Sequence, residues 1–192
     1  MQLNSQNWNI ILASQSPRRK QLLEQLGYSF TQKSKDTDED FSAEMPQREV
    51  AEYLSNKKAA AFEKEIQPND LIIASDTIVL IENEILNKPA DNKEAFEMIS
   101  KLSGKQHEVI TGVCLKSAKK TVSFSVSTTV FFKKLKEEEI NYYINQYKPF
   151  DKAGAYGIQE WIGLIGVDKI EGSFYNVMGF PAKLVYEAIE KF

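Results

Sequence analysis

Three cations stand at the start of the first helix that the sequence predicts. Arg18, Arg19 and Lys20 follow Ser16 and Pro17, a pair typical of a helix N-cap and first helical position. The N-terminal end of a helix already carries partial positive charge, so each cation there costs up to about 1 kcal/mol. A bound anion removes that cost, because free backbone N–H groups and arginine side chains bind it together. Taken alone, the pattern is explained equally well by side chains that spread into solvent.

A carboxylate interrupts the most apolar run of the chain. Asp76 lies within LIIASDTIVLI, which is predicted to form a buried strand. Burying an unpaired carboxylate costs several kcal/mol, so a partner cation or a metal ion is expected. The alternative is a buried salt bridge without a chemical role. The polar neighbours Ser75 and Thr77 favour a functional site.

Two lysines add positive charge to the same hypothesis. Lys58 falls in an apolar stripe with Leu54 and Phe62 on a predicted helix, so it is expected to face inward, although its stem could extend toward solvent. Lys88 precedes Pro89, which imposes an extended backbone. Each lysine, taken alone, is explained by a structural or solvated role.

A glycine-containing segment, DKAGAYGIQ, is the fourth candidate. Gly154 and Gly157 allow the backbone to approach a ligand closely. Tyr156 or Gln159 could then contact a nucleobase by stacking or by amide hydrogen bonds. A mobile loop is the alternative.

Together, these residues suggest a pocket of arginines and lysines around a polyphosphate, with carboxylates that hold a divalent cation. The chemistry of such a site is attack of water on a phosphoanhydride. Metal and cations neutralise the phosphate charge, while a carboxylate orients or deprotonates the water. Mg²⁺ is the expected ion for oxygen ligands, and Mn²⁺ fits the same ligands.

Composition limits the other possibilities. The chain has 192 residues, which suits one domain or a domain with a small lobe, and its net charge of −3 gives no general attraction to nucleic acid or anionic membranes. The one cysteine, Cys114, excludes an intramolecular disulfide and is predicted in the core. The one histidine, His107, is predicted at the surface or in a turn, which argues against a histidine-based triad. The N-terminal segment lacks the apolar core of a signal peptide and no apolar run approaches the roughly 20 residues of a membrane span, so a cytoplasmic location is expected.

The elements that must position these residues alternate between helix and strand. In order, they are a strand at Asn9–Ala13, a helix from Ser16 closed by Gly27, a short strand at residues 28–32, a helix over residues 47–65, a hairpin of residues 70–81 and 85–88, a helix from Asp91 to Leu102, strands over residues 107–117 and 121–135, and helices over residues 136–146 and 181–192. The acidic segment KSKDTDED is predicted as a loop. Lone strands and hairpins mixed with helices indicate an α/β fold with a mixed sheet.

The segments that carry these residues resemble the Maf family of nucleotide pyrophosphatases. LASQSPRRKQLL, ASDTIV, NKPAD, KLSGKQHEVITGV and DKAGAYGIQ occur in the order of the family and across nearly the whole chain. The resemblance implies an inosine-triphosphate-pyrophosphatase-like α/β fold, in which helices flank an elongated mixed sheet and two lobes enclose a cleft. It also implies a single Maf-type domain over residues 1–192, and hydrolysis of a nucleoside triphosphate to the monophosphate and pyrophosphate with a divalent metal.

The resemblance assigns roles by motif. Asp76 corresponds to the acidic catalytic residue, the proton acceptor, and Glu39 in the acidic loop joins it as a predicted metal ligand. The positions associated with nucleobase choice are Arg18, Thr77 and Gln159. The polar positions around the phosphates are Ser14, Arg19, Lys58 and Lys88. Whether Lys57 or Lys58 reaches the site stays open.

The motif DKAGAYGIQ resembles the subgroup that acts on dTTP and UTP, so these nucleotides, with modified pyrimidine forms, are the expected substrates. The alternatives are a preference for 7-methyl-GTP, and a non-catalytic or bifunctional regulator of septum formation and cell division. A phosphatase of the haloacid dehalogenase type is rejected, because it needs a second Asp two positions after Asp76 and residue 78 is Ile. The resemblance favours a homodimer, whereas the net charge and the lengths of the apolar runs predict no stable nucleic-acid or membrane partner.

Overall fold

The computed structural model describes residues 8–192; the predicted absence of a signal peptide concerns a segment that begins in residues 1–7, outside the described residues. The strands are β1 Asn9–Ala13, β2 Phe30–Lys33, β3 Asp70–Ile81, β4 Glu84–Leu86, β5 Gln106–Lys116, β6 Thr121–Phe132 and β7 Val167–Glu171. The α-helices are α1 Pro17–Gln25, α2 Val50–Ala60, α3 Asn92–Leu102, α4 Glu137–Tyr147, α5 Trp161–Gly166, α6 Phe174–Val177 and α7 Ala182–Glu190. Short 3-10 turns lie at Gln47–Glu49 and Ala153–Ala155. None of the helices among residues 8–192 is long and apolar enough to cross a membrane.

The strands form one mixed sheet, which confirms the predicted α/β class. Its hydrogen-bonding order is β2-β1-β3-β5-β6-β7, with β4 added to β3. β1 is parallel to β2 and to β3, whereas the β3–β4 and β6–β7 pairs are antiparallel. The β3–β4 hairpin was predicted, and its turn places Glu82 and Asn83 at positive φ, as a tight two-residue turn requires.

The chain divides into two compact units. Among the described residues, the first contains residues 8–76, 111–126 and 179–192, and the second contains residues 77–110 and 127–178. The boundary therefore falls inside β3, between Asp76 and Thr77. The prediction of one domain over residues 1–192 stays a prediction.

In the first unit, helix α2 lies unusually close to strand β5. A Cβ atom at Gly112 would be 2.2 Å from the carbonyl oxygen of Ala51, so only glycine allows this approach. Lys58 lies seven residues after Ala51 and thus on the same helix face, which also carries the buried Leu54. The packing of one helix turn on β5 consequently sets the direction in which Lys58 points.

The opening of α1 follows the prediction. The hydroxyl of Ser16 accepts from the backbone N–H of Arg19, with Pro17 at the first helical position. At the other end, Gly27 has a φ of 87° and donates its N–H to the carbonyl of Glu24, which closes the helix. Leu22 is buried, as the predicted stripe requires.

In the second unit, the burial of His107 contradicts its predicted surface location. His107 is 2% exposed, and its Nε2 lies 2.7 Å from the hydroxyl of Tyr156. Both rings pack edge-to-face with Phe132. Tyr156 is itself buried, so it has no exposed ring face for the predicted stacking on a nucleobase. The prediction that His107 begins a strand is confirmed. The sequence pattern did not show that this face of β5 is covered by Tyr156 and Phe132.

The segment after Glu160 contains the elements that sequence patterns missed, namely α5, β7 and α6. α5 and α6 have six and four residues, too few for an apolar period to be seen. β7 carries three charged residues in VDKIE and is mostly exposed, so its pairing with β6 rather than its composition makes it a strand. The second helix was also predicted too long, since α2 ends at Ala60.

The buried histidine makes the stability of the protein depend on pH. Burial lowers the pKa of His107 from 6.5 to about 4. Between these values the unfolded chain binds a proton that the folded chain does not, so stability is lost as the pH falls through this window. We expect protonation of His107 in the unfolded chain to lower the free energy of unfolding by about 3 kcal/mol between pH 7 and pH 4.

The measurement is urea unfolding at several pH values for the wild type and for His107→Gln. Because the chain has one histidine, the difference between the two pH profiles isolates this group. Parallel profiles between pH 7 and pH 4 would contradict the expectation.

Candidate functional site

Asp76 lies in the middle of β3 but beyond the end of a neighbouring strand. The parallel pairing of β1 with β3 ends at Leu12 and Ile73, after which the chain leaves β1 and enters the turn before α1. The antiparallel pairing with β4 begins only at Val79. Ligands of α/β proteins bind outside the carboxyl ends of parallel strands, so Asp76 occupies the kind of position expected of a site residue.

The partner that a buried carboxylate requires is Lys58. Its ammonium forms an ion pair with Asp76 Oδ1 and also donates to Glu39 Oε1 at 2.9 Å. The side chains of Asp76 and Lys58 are 10% and 18% exposed, whereas that of Glu39 is 48% exposed. The prediction of a cation beside Asp76 is confirmed, and one ammonium bridges both carboxylates that were predicted as metal ligands.

The neighbouring lysine contacts a different carboxylate. Lys57 pairs with Asp38, and this hydrogen bond is the main cause that raises the pKa of Lys57 and lowers that of Asp38. The two lysines thus hold two nearby carboxylates of the same acidic loop. The open choice between them is settled in favour of Lys58 as the contact of Asp76.

Arg19 ties three segments of the first unit together. Its Nε donates to the carbonyl of Gly179 at 2.9 Å, and its Nη1 donates to the carbonyl of Ser75 at 2.8 Å and to the hydroxyl of Ser14 at 3.3 Å. The β1–β3 pairing ends at Ile73, two residues before Ser75. Arg19 therefore supplies a hydrogen bond to a β3 carbonyl that β1 does not pair with. The sequence did not predict the carbonyls of Gly179 and Ser75 as partners of Arg19, because every residue has a backbone carbonyl and the residue type does not show which one is used.

The charges around Arg19 act in opposite directions. Desolvation by burial is the largest influence and lowers the pKa of Arg19, while the carboxylates of Asp76 and Glu39 raise it and Arg18 lowers it. Arg18 and Arg19 therefore lie within electrostatic range of each other, as their predicted places in the first turn of α1 require. Ser14, Arg18, Arg19, Glu39, Lys58 and Asp76 are brought together in the first unit.

The same residues fit a divalent cation. Among residues 8–192 there is no group of three or more His, Cys, Asp and Glu side chains arranged to hold a metal ion. Mg²⁺ commonly takes only one or two carboxylates and completes its six ligands with water and substrate phosphate oxygens. Glu39 and Asp76 supply such a pair, and the Lys58 ammonium that bridges them shows that a positive charge is accommodated there.

The other three predicted residues belong to the second unit. Thr77 is half-buried in β3, directly after Asp76. Lys88 is exposed between β4 and α3, before the buried Pro89. Gln159 is exposed at the end of the glycine-containing segment. They keep their predicted roles as predictions.

The two glycines of that segment make room for the protein itself. Gly154 has a φ of +67°, and a Cβ there would lie 3.0 Å from Val79. A Cβ at Gly157 would lie 2.8 Å from the carboxyl carbon of Glu160 and 3.0 Å from Cε of Lys152. Close packing against neighbouring side chains is thus one reason for glycine at both positions, and the approach of this backbone to a ligand stays a prediction.

The two adjacent lysines allow a matched test of the buried ion pair. Replacing Lys58 by Met leaves the Asp76 side chain, which is 10% exposed, without its ion-pair partner, so the free energy of unfolding should fall by about 3 kcal/mol. Replacing Lys57 by Met removes an ion pair with an exposed carboxylate and should leave stability nearly unchanged. Denaturant unfolding at pH 7 measures both, and equal losses would contradict the difference in burial.

Comparison with known proteins agrees with the sequence motifs. Residues 9–192 match the family model described as Maf-like protein. The dTTP/UTP pyrophosphatase of Bacteroides thetaiotaomicron is 47% identical over 98% of this chain and 98% of its own. That of Cytophaga hutchinsonii is 51% identical over 96% of this chain and 84% of its own. Among solved structures, the Ham1 protein of Staphylococcus aureus covers 65% of this chain and 71% of its own, at 14% identity and a TM-score of 0.46, a likeness too weak to carry an argument. On the family match and the two relatives, the chain belongs to the Maf family.

Proposed function

We propose that this protein is a nucleoside triphosphate pyrophosphatase that hydrolyses dTTP and UTP to the monophosphate and pyrophosphate. The observation that carries the proposal is identity of 47% and 51% to two proteins named dTTP/UTP pyrophosphatase, over 98% and 96% of this chain. The cluster of cations and carboxylates in the first unit is what hydrolysis of a triphosphate needs.

In the proposed reaction, water attacks the α-phosphorus of the nucleotide. The bond from that phosphorus to the oxygen bridging the α and β phosphates breaks, and pyrophosphate leaves with that oxygen. Asp76 accepts the proton of the attacking water. Asp76 lies inside β3 and its carboxylate is paired with Lys58, so the side chain is positioned before substrate binds and less reorganisation is needed in the transition state. Lys58 bridges Asp76 and Glu39 in the free protein, and its proposed role is to bind a phosphate oxygen when the nucleotide is present.

The other predicted residues bind and orient the nucleotide. Ser14, Arg19 and Lys88 serve the phosphates, and Arg19 does so mainly by holding the turn at Ser14 against the carbonyl of Ser75. Arg18, Thr77 and Gln159 select the nucleobase. These roles rest on the match of their motifs to the family.

The proposal includes a divalent cation, Mg²⁺ or Mn²⁺, held by Glu39 and Asp76. When bound, the ion supplies neutralisation of the triphosphate charge. A cytoplasmic location, expected from the apolar pattern of the sequence, and a homodimer, expected from the family resemblance, complete the proposal.

The substrate is tested with a panel of dTTP, UTP, CTP, GTP and 7-methyl-GTP, with release of pyrophosphate as the readout. We expect dTTP and UTP to give the highest kcat/KM in the presence of Mg²⁺ or Mn²⁺. A chelator should abolish activity, and added metal should restore it. Hydrolysis of 7-methyl-GTP without hydrolysis of dTTP or UTP would reject the substrate proposal, and full activity in the chelator would reject the metal.

The role of Asp76 is tested by Asp76→Asn, which keeps the shape of the side chain but removes its charge. Loss of a general base should lower kcat by about 10³-fold. Asp38→Asn is the control, because Asp38 is an exposed carboxylate of the same region that pairs with Lys57. A kcat within a few-fold of wild type in Asp76→Asn would contradict the mechanism. A cell-division phenotype that survives in this variant would separate regulation from hydrolysis.

A further inference from the structure

The segment that carries Gln159, in the second unit, also contains a buried lysine. The Lys152 side chain is 8% exposed, and its ammonium lies 2.7 Å from Asp151 Oδ1 and 3.1 Å from Glu160 Oε1. A buried ammonium is tolerated only where carboxylates compensate for its lost hydration. The proposed mechanism uses none of these three residues.

The hydroxyl of Tyr143 connects two points of the same segment. It donates to Glu160 Oε2 and accepts the backbone N–H of Gly157 at 3.0 Å. Tyr143 is fully buried on α4, so its position is set by the core and not by solvent. The backbone two residues before Gln159 and the side chain one residue after it are therefore anchored on one oxygen atom.

The space around these anchors is filled. Ile158, directly before Gln159, is 4% exposed and belongs to the core of the second unit. A Cβ at Gly157 would lie 2.8 Å from the carboxyl carbon of Glu160 and 3.0 Å from Cε of Lys152, so a side chain there would have to displace the ends of both side chains. Gln159 itself is exposed. The exposed side-chain amide of Gln159 therefore lies between Ile158, which is packed in the core, and Glu160, which is bound to Tyr143.

We infer that Tyr143, Glu160 and Lys152 form a positioning network that holds Gln159 in the orientation with which it selects the nucleobase. The inference rests on the proposed function. A side-chain amide distinguishes bases by the direction of its donor and acceptor, so a displacement of about 1 Å is enough to weaken selection. Lys152 forms an ion pair with Glu160, and both Glu160 and the backbone N–H of Gly157 are hydrogen-bonded to Tyr143. In this proposal the three residues act through Gln159 and not by contact with substrate.

The test uses Tyr143→Phe, which keeps the buried ring and removes only the shared oxygen. Tyr147→Phe is the matched control, because Tyr147 stacks on Tyr143 from the same helix at 5.1 Å and is 39% exposed. The readout is kcat/KM for UTP and for CTP, two nucleotides whose bases differ in hydrogen-bond donors and acceptors at N3 and C4. We expect kcat/KM for UTP to fall about tenfold in Tyr143→Phe and that for CTP to change less than about twofold.

A structural defect alone would lower both values equally, so equal losses, or no loss, overturn the positioning role. Glu160→Gln gives a second test, because it keeps the shape of the side chain but removes the charge that faces Lys152; the same selective loss for UTP is expected. Tyr147→Phe should match the wild type, and a selective loss there would also overturn the role.

Hydrogen exchange of the free protein tests the network without substrate. In Tyr143→Phe the amides of Gly157 and Glu160, which donate to Tyr143 and to the carbonyl of Gly157, should exchange faster, because one anchor of the segment has been removed. Unchanged exchange overturns the network. A wild-type protein that hydrolyses neither dTTP nor UTP overturns the proposed function, and the positioning role with it. Wild-type activity with undiminished discrimination in Tyr143→Phe overturns the positioning role alone.

Discussion

A carboxylate in the middle of a buried strand must be neutralised, and the first unit is arranged around that requirement. Asp76 is 7% exposed, and the nearest cation is Lys58, which comes from a helix earlier in the chain. Lys58 reaches Asp76 because α2 packs directly on the backbone of β5 at Gly112, a contact that any side chain at that position would prevent. The ion pair and the helix packing are thus parts of one arrangement, and Glu39 joins it through the same ammonium.

The end of β1 leaves the part of β3 around Asp76 without β1 as a pairing partner. β1 stops pairing at Leu12, and the chain turns away through Ser14 into α1. The carbonyl of Ser75 then lacks a strand partner on this side, and the guanidinium of Arg19 provides one. An arginine predicted to bind phosphate thereby also joins the turn, the strand and the segment at Gly179. Replacing Arg19 would therefore be expected to affect both the packing of these segments and the predicted binding of phosphate.

Sequence patterns predicted much of this arrangement for identifiable reasons. β1, β3 and α3 have apolar runs or periods of sufficient length, and Ser16-Pro17 and Asp91 are strong helix-start signals that the structure confirms. α5, α6 and β7 were missed because they are short or charged, and the contacts that define them come from distant parts of the chain. His107 was misplaced because periodicity alone does not tell which face of a strand becomes covered.

The sequence by itself determined which residue types were available: cations after Ser16, a carboxylate inside an apolar strand, and a lysine in the inward stripe of a helix. Those types carry a recognisable chemistry because the cost of burying charge makes them rare where no partner exists. Only the tertiary structure decided the pairs. It assigned Lys58 rather than Lys57 to Asp76, gave Arg19 its carbonyl partners, and enclosed Lys152 between Asp151 and Glu160. Pairing depends on distances between residues far apart in the chain, and those distances follow from helix and strand packing that no local pattern encodes.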